Sequence, residues 1–259
     1  MSNDQSSVPS RFVNAVTLDI DFFDDTWQEV LDRAVPYGPR QDQYPSLVLP
    51  VPNRNDSLIV SENKYYYSSN QTFTTLKRHK SVLQTLDYTL WSRTLKHFDC
   101  LPKRKLPLTS RTSCLFPLTT SIDHALWMNP AKIEEVKTIQ GLTHITMTDG
   151  TTVITFVHRR TVIGHVENAL FLLATLRRDY LYTDFPGQTP LDYLDLPDTP
   201  FLRLIGEREL LQEFKLPLHA LKQQYENQRV IQLVIDLGQT VDLNVLTYTS
   251  FSDLLASIN

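Results

Sequence analysis

Cysteine and glycine are scarce in this 259-residue chain, and their scarcity excludes several classes of protein. The two cysteines, Cys100 and Cys114, have no CxxC spacing, so we expect neither a disulfide framework nor a cysteine metal site. The seven glycines form neither a G-x-G-x-x-G motif nor a Walker phosphate-binding loop. The sequence therefore predicts a protein of a reducing compartment that needs no cofactor.

Long apolar runs are also missing from the chain. None approaches the roughly 20 residues that a membrane span requires. The first residues, Met1-Ser-Asn-Asp-Gln, lack the basic and apolar regions of a signal peptide. We therefore expect a soluble, cytoplasmic protein that has no membrane partner.

Residue patterns typical of catalysis are absent as well. His144, His158 and His165 do not have the spacing of a helical metal pair. Asp123-His124 belongs to no recognisable nucleophile motif. We therefore expect no enzymatic activity and no metal site.

Positive charge is concentrated in one segment, although the whole chain has a formal net charge of −4. Residues 77–111 have a net charge of +7, whereas residues 181–259 have a net charge of −6. The positive segment contains Lys77, Arg78, Lys80, Arg93, Lys96, Lys103, Arg104, Lys105 and Arg111. A local basic block sets the field that a phosphate backbone meets. The alternative is a solvated basic face without a binding function.

Composition divides the chain into three parts. Residues 1–56 are acidic and rich in proline, so we interpret them as an N-terminal extension and expect regular structure to begin at Ser57. Residues 57–182 form the expected core, and residues 183–259 an acidic C-terminal region for oligomerisation or regulation. The predicted fold class is α+β: a small, mostly antiparallel sheet with two packed helices, followed by an α+β extension.

Local patterns place several elements in the core. Residues 57–61 and 64–68 are rich in β-branched residues and tyrosine and predict two paired strands. Asp149-Gly150 lies between two strand-like runs and predicts a hairpin. An apolar stripe over residues 162–178 predicts a long helix.

The basic block is expected to span a helix and an extended segment. Ser81 and Gln84 fit a capping box, so they predict a helix that begins at Ser81 and has Arg93 and Lys96 near its end. The segment from residue 100 to residue 109 contains two prolines and is expected to be extended. In the C-terminal region we expect helices near residues 201–214 and 218–227, and strands near residues 230–236 and 241–247.

About half of the chain, residues 58–180, resembles the ComK-type competence transcription factors. The resemblance depends on the order of several short motifs. These are Val82-Leu83-Gln84-Thr85-Leu86-Asp87, Lys105-Leu106-Pro107-Leu108, Leu115-Phe116-Pro117, Thr119-Thr120-Ser121, Trp127, Thr148-Asp149-Gly150-Thr151 and Glu167-Asn168. The chain differs in lacking the family's Phe-Gly-Ser-Ser-Tyr stretch and its C-terminal Phe-Met-Leu-Tyr-Pro-like element.

This resemblance implies a transcriptional activator of DNA-uptake genes. Proteins of this type bind paired A/T-rich boxes in double-stranded DNA, largely through the minor groove, as dimers that pair into tetramers. The implied partners are therefore A/T-rich DNA, a second copy of the chain in a homodimer or tetramer, RNA polymerase and a proteolytic adaptor. The implied location is the cytoplasm, in association with the nucleoid.

Three groups of cations are the candidate DNA contacts. Lys103, Arg104 and Lys105 lie between two prolines and resemble an arm that enters the minor groove, with Arg93, Lys96 and Arg111 as flanking phosphate contacts. Lys77, Arg78 and Lys80 precede the expected helix cap, where a phosphate can meet free amides. Arg159 and Arg160 lie between a strand and a helix. For each group, the alternative is a solvated or structural role.

Two further hypotheses concern the chain as a whole. The C-terminal region, because it is acidic, is expected to screen the basic face when DNA is absent. The rival to DNA binding is a regulatory or protein-interaction adaptor, built on a ComK-like core that has lost DNA binding.

Overall fold

The structure is a computed structural model. It describes residues 15–38, 44–61, 64–83, 86–110, 112–119, 121–180 and 187–240; residues 79–83 and 237–240 are described by their backbone alone. The strands are β1 (Thr17–Asp19), β2 (Val35–Pro36), β3 (Leu47–Pro50), β4 (Ser57–Ser61), β5 (Lys64–Ser68), β6 (Leu108–Thr109), β7 (Cys114–Pro117), β8 (Trp127–Met128), β9 (Ile133–Ile139), β10 (Leu142–Met147) and β11 (Thr152–Thr155). The α-helices are α1 (Asp25–Arg33), α2 (Thr72–Leu83), α3 (Tyr88–Lys96), α4 (Arg159–Tyr180), α5 (Pro200–Gly206) and α6 (Ala220–Thr240).

The α+β class is confirmed, and the described strands divide into two sheets. The larger sheet has the order β2-β5-β4-β3-β8-β7-β6, and the smaller has the order β1-β11-β10-β9. Pairing is antiparallel except between β1 and β11 and between β2 and β5. Short 3-10 turns cover Pro130–Lys132, Pro190–Tyr193 and Glu209–Leu211.

Three local predictions are confirmed. β4 pairs with β5 in antiparallel register. Asp149-Gly150 forms the turn between β10 and β11; Gly150 has φ 90°, and the Asp149 side chain accepts a hydrogen bond of 2.9 Å from the Thr151 amide. The long helix is α4, which begins three residues earlier and ends two residues later than predicted.

The N-terminal segment forms part of both sheets. β1 pairs with β11 in the smaller sheet, and β3 lies between β4 and β8 in the larger one. Leu47, Val48 and Leu49 are fully buried. The expectation that regular structure begins at Ser57 is therefore wrong, because these short strands are stabilised by partners far along the chain.

β3 has apolar side chains on both faces, and each face contributes to a separate core. Leu47 and Leu49 belong to the main core, which also contains the apolar face of α4. Val48 belongs to a second core under α2. The second core consists of Val48, Ile59, Tyr66, Phe73, Leu76, Leu108, Leu115, Ala125 and Trp127.

The helix predicted to begin at Ser81 is wrong. Ser81 lies near the end of α2, and the following helix, α3, begins at Tyr88. Asp87 caps α3, since its carboxylate accepts hydrogen bonds from the amides of Thr89 and Leu90. Two of the free amides at the start of α3 are satisfied by this carboxylate.

The C-terminal region is helical where the structure describes it. α6 runs through residues 230–236, so the strand predicted there is wrong, and the strand predicted at residues 241–247 falls beyond the described part. A buried ion pair joins the region to α4: the Arg178 guanidinium bonds to Asp179 and to the carbonyls of Leu216 and Pro217. Asp179 in turn accepts hydrogen bonds from three amides at the start of α6, those of His219, Leu221 and Lys222.

Candidate nucleic-acid interface

A cluster of aromatic rings connects α2, α3 and the basic loop that follows α3. The Phe73 ring of α2 lies edge-on to Tyr88 of α3, with 5.0 Å between centroids, and stacks on Trp127 at 5.8 Å. The Trp91 indole donates a hydrogen bond of 3.1 Å to the carbonyl of Pro107. Three segments of the basic block therefore share one aromatic scaffold.

Tyr88 also ties α3 to the loop. Its hydroxyl donates to the carbonyl of Leu106 at 3.3 Å. Burial raises the pKa of Tyr88 to about 12, so the hydroxyl keeps its proton at neutral pH and can donate this bond. Trp127, by contrast, is fully buried with an indole nitrogen that has no hydrogen-bond partner.

The loop between α3 and β6 is folded back rather than extended. Leu101 and Leu106 are buried and anchor it at both ends, and Lys105 adopts a positive φ of 52°. The extended arm predicted between Pro102 and Pro107 is therefore wrong. The two buried leucines hold the backbone against the main core.

Two of the three cations of this loop bind the protein itself. The Lys103 ammonium donates to the carbonyls of Lys96 and Phe98, at 2.7 and 2.9 Å, at the end of α3. The Lys105 ammonium donates to the carbonyl of Leu118 at 2.9 Å. Arg104 lies between them with an exposed side chain. The loop therefore presents one outward guanidinium at its tip.

The cations of α3 are exposed, and α6 contacts one of them. Arg93 donates a hydrogen bond of 2.7 Å to the side-chain oxygen of Gln232, whereas Lys96 faces solvent. α6 also contacts α3 through Tyr225, whose ring lies edge-on to Trp91 at 6.3 Å and whose hydroxyl accepts from the Asp87 amide. The C-terminal region thus covers one side of the helix that carries Arg93.

The cations of α2 lie beside the same aromatic cluster. The Lys77 ammonium is 4.5 Å from the centre of the Phe73 ring, and Arg78 is exposed. Lys80 is in α2 within the stretch described by its backbone alone, and Arg111 falls outside the described residues. A cleft of about 250 Å³ separates α2 from α3 and is lined mainly by apolar side chains and Lys77.

Arg159 and Arg160 lie at the start of α4, away from the aromatic cluster. The Arg159 side chain donates to the carbonyl of Val136 in β9 at 2.9 Å, so its contact is with the smaller sheet. Arg160 is exposed. Further along α4, burial and then the charge of Lys105 lower the pKa of His165.

Sequence reasoning missed the residues that organise this surface. Trp91, Tyr88 and Tyr225 were not singled out as functional, although they fix the loop and the covering helix. A signal was present for Trp91: a tryptophan in an amphipathic helix beside a basic, proline-bounded loop is a good candidate for an anchor. The contact with Tyr225 joins residues 138 positions apart and left no local signal.

The described residues also bear on metal sites and membrane spans. Within the described ranges, no cluster of three or more His, Cys, Asp or Glu residues could hold a metal ion. In that same part of the chain, no helix has both the length and the apolar character to cross a bilayer. No protein-family model, curated protein or solved structure matches the chain.

Proposed function

We propose that the protein is a DNA-binding transcriptional activator of the ComK type, which binds A/T-rich promoter boxes mainly through the minor groove. The observation that supports this best is the shared aromatic scaffold, which gathers α2, α3 and the basic loop of a segment with net charge +7. Phosphate neutralisation by clustered cations supplies most non-specific affinity for DNA. The motifs that resemble the family lie in the same segment.

The contacts to DNA are assigned to the cations that face outward. Arg78, Lys96 and Arg104 are exposed on α2, α3 and the loop respectively. Arg104 is the candidate for the minor groove, because it is at the tip of a loop whose backbone is anchored on both sides. Lys103 and Lys105 shape the loop, since their ammonium groups bind protein carbonyls.

A second candidate is a protein-interaction adaptor that does not bind DNA. Two observations favour it: two of the loop's three cations are bound to backbone carbonyls, and α6 holds Arg93 through Gln232. In this alternative, the cleft between α2 and α3 would receive a side chain of a partner protein. DNA titration separates the two functions directly.

The test is a fluorescence-anisotropy titration of a duplex that carries two spaced A/T boxes, compared with a G/C-rich duplex at several salt concentrations. We expect preferential binding of the A/T duplex, with a log–log salt slope of about −0.9 for each phosphate neutralised. Binding to neither duplex would overturn the proposal and favour the adaptor.

Variants locate the contacts within the surface. Arg104→Ala is expected to weaken binding to the A/T duplex and to lower the salt slope by about 0.9. Arg203→Ala is the matched control, because Arg203 is also exposed but lies on α5 of the acidic region. Equal effects of the two substitutions would show that the loop does not contact DNA.

A further inference from the structure

A cavity of about 440 Å³ lies where the N-terminal segment, the turn between β10 and β11, α4 and the C-terminal region meet. This volume is within the range of sites that bind small molecules. Two groups of lining residues bear on what the cavity can hold. A polar group consists of Ser46, Asn129, Lys132 and Asp149, and an apolar group consists of Leu173, Leu194, Leu196 and Pro197.

Hydrogen bonds hold the polar group together. Ser46 is buried and joins Asn129 to Asp149: its carbonyl accepts from the Asn129 amide at 2.9 Å, and its hydroxyl donates to the Asp149 carboxylate at 2.8 Å. The other Asp149 oxygen accepts from the Thr151 amide at 2.9 Å. The side chains of Asn129 and Asp149 are therefore fixed close to each other before any ligand arrives.

The Asn129 side chain is the buried donor of this group. Asn129 is 6% exposed, and its Oδ1 atom accepts from the Ala131 amide at 3.0 Å. This bond orients the side-chain amide, so its NH2 group is the part left to face the cavity. The NH2 group donates to no acceptor among the described residues. Since a buried polar group normally has a partner, the cavity is the place for its acceptor.

Lys132 and Asp149 add charges of opposite sign beside this NH2 group. The Thr148 amide donates to the Lys132 carbonyl at 2.8 Å, so Lys132 is next to the turn that carries Asp149. Each oxygen of the Asp149 carboxylate accepts one hydrogen bond and keeps a second lone pair. The polar group therefore offers donors to an anion and an acceptor to a cation.

The charges of the whole lining favour a ligand that carries both signs. They are those of Lys132 and Arg177 and those of Asp149 and Asp195, so the formal charge of the lining is zero. In a free α-amino acid, the ammonium and the carboxylate are attached to one carbon atom. The carboxylate can accept from Asn129 and Lys132, and the ammonium can donate to Asp149. An apolar side chain can then cover the leucines of the lining.

We infer that this cavity binds a free α-amino acid with an apolar side chain. The site is separate from the proposed DNA surface, because its lining contains none of the cations assigned to DNA. A ligand in the cavity contacts the N-terminal segment through Ser46 and the C-terminal region through Leu194 and Leu196. Its binding therefore stabilises the junction of these parts of the fold.

The first experiment is isothermal titration calorimetry of the full chain with L-leucine, repeated with L-phenylalanine. Three further probes each lack one feature of leucine: 4-methylpentanoate lacks the ammonium, 3-methylbutylamine lacks the carboxylate, and glycine lacks the apolar side chain. We expect L-leucine to bind at least about tenfold more tightly than each of the three. Binding of neither L-leucine nor L-phenylalanine would overturn the inference. Equal binding of 4-methylpentanoate would also overturn it, in favour of a site for simple carboxylates.

Two substitutions locate the amino acid in the cavity. Asn129→Asp keeps an acceptor for the Ala131 amide but replaces the NH2 group by an oxygen, so it should weaken leucine binding at least about tenfold. Asp149→Asn keeps an acceptor for the Thr151 amide but removes the charge that meets the ammonium. It should also weaken leucine binding, while leaving the binding of 4-methylpentanoate unreduced. Asn227→Asp is the matched control, because it adds the same charge on α6, outside the cavity lining.

Thermal unfolding gives an independent measurement. L-leucine is expected to raise the unfolding midpoint of the wild type and of Asn227→Asp, but not that of Asn129→Asp or Asp149→Asn. If Asn129→Asp does not fold, Asp149→Asn and the control decide the matter. Leucine binding that is equal in the wild type and in these variants would place the amino acid elsewhere and overturn the inference.

Discussion

Charge has different roles in the basic segment and at the end of α4, where the C-terminal region packs. At the end of α4, two charges are buried and hold the structure together: Arg178 and Asp179 join α4 to the backbone around the start of α6. In the basic segment, Arg78 and Arg104 face solvent, and the loop is anchored by aromatic side chains together with the ammonium groups of Lys103 and Lys105. The buried pair therefore stabilises the fold, whereas the exposed guanidinium groups keep their charge in contact with solvent.

The difference indicates where a substitution should affect folding and where it should affect binding. A buried ion is costly when its partner is removed, because the remaining charge is left without solvent or counter-ion. An exposed cation contributes little to stability and retains its field in solution.

The largest effect is expected for Asp179→Ala. The substitution leaves the Arg178 guanidinium buried without its carboxylate and removes the acceptor for three amides at the start of α6. We expect a loss of about 3–5 kcal/mol in the free energy of unfolding, measured by urea denaturation. Asp198→Ala breaks the exposed pair with Arg203 and should cost less than about 1 kcal/mol. Similar losses of unfolding free energy for the two variants would contradict the expected contrast between buried and exposed charges.

A smaller effect is expected from a pair of tryptophan substitutions. Trp91 and Trp127 are both fully buried, but only the Trp91 indole has an acceptor, the carbonyl of Pro107. Trp91→Phe removes the shorter of two hydrogen bonds to this carbonyl, the other coming from the Thr109 hydroxyl at 3.5 Å, whereas Trp127→Phe removes a donor that has no partner. We expect Trp91→Phe to be the more destabilising by about 1 kcal/mol in denaturant titrations. Equal losses would show that the indole bond does not anchor the loop.

A modest effect on DNA binding is expected at the contact between the two regions. Gln232→Glu places a carboxylate against Arg93, so it should weaken binding to the A/T duplex by about two- to fivefold at low salt, the order of one exposed ion pair. Gln223→Glu adds the same charge on the outer side of α6 and is the control. Gln232→Glu tests screening better than a deletion of the C-terminal region would. A deletion would also remove Phe201 and Tyr225 from the main core. No difference between the two variants would argue against screening of the basic face by α6.

The smallest effect concerns pH. Burial first, and the charge of Lys105 second, lower the pKa of His165 below its ordinary value of 6.5. The unfolded chain therefore binds more protons than the folded one just below pH 6.5, so this stabilising contribution is complete above that pH and is lost as the pH falls through the folded-state pKa. We expect His165→Asn to flatten the pH dependence of the unfolding midpoint between pH 7 and pH 5. An unchanged slope would mean that His165 titrates normally.

Elements set by neighbouring residues could be predicted from the sequence. The turn at Asp149-Gly150 needs a positive φ, which glycine supplies, and the apolar period of α4 identifies its buried face. A second hairpin was missed, although its signal is as local: Gln140 and Gly141 both have positive φ between β9 and β10, as a two-residue type I′ turn requires.

Elements set by distant partners could not be predicted. β1 and β3 are short and occur among acidic residues and prolines, and their pairing with β11 and β8 leaves no mark in the local sequence. The apolar residues around Val230 and Ile235 fit a strand or a helix equally by pattern, because a short run of such residues shows no period. The anchored first half of α6 and its contact with α3 decide for the helix.

That the basic block contacts DNA stays a prediction. Arg78, Lys96 and Arg104 are exposed on elements that share one aromatic scaffold. Whether an ammonium group such as that of Lys103 points outward or into a carbonyl depends on how the backbone turns. Two prolines suggested an extended chain, whereas the buried side chains of Leu101 and Leu106 folded it back.

The parallel pairing of β1 with β11 has a consequence for how the chain is made. Thr17 pairs with Thr152, so the first strand of the smaller sheet leaves the ribosome 135 residues before its partner. At about 5–20 residues per second, this strand waits roughly 7 to 27 s with its backbone unpaired. Non-local pairing of this kind also slows folding after release, since a long loop must close before any contact is gained. The N-terminal strand therefore stays without its partner for longer than the other strands of the smaller sheet, whose neighbours follow within a few residues.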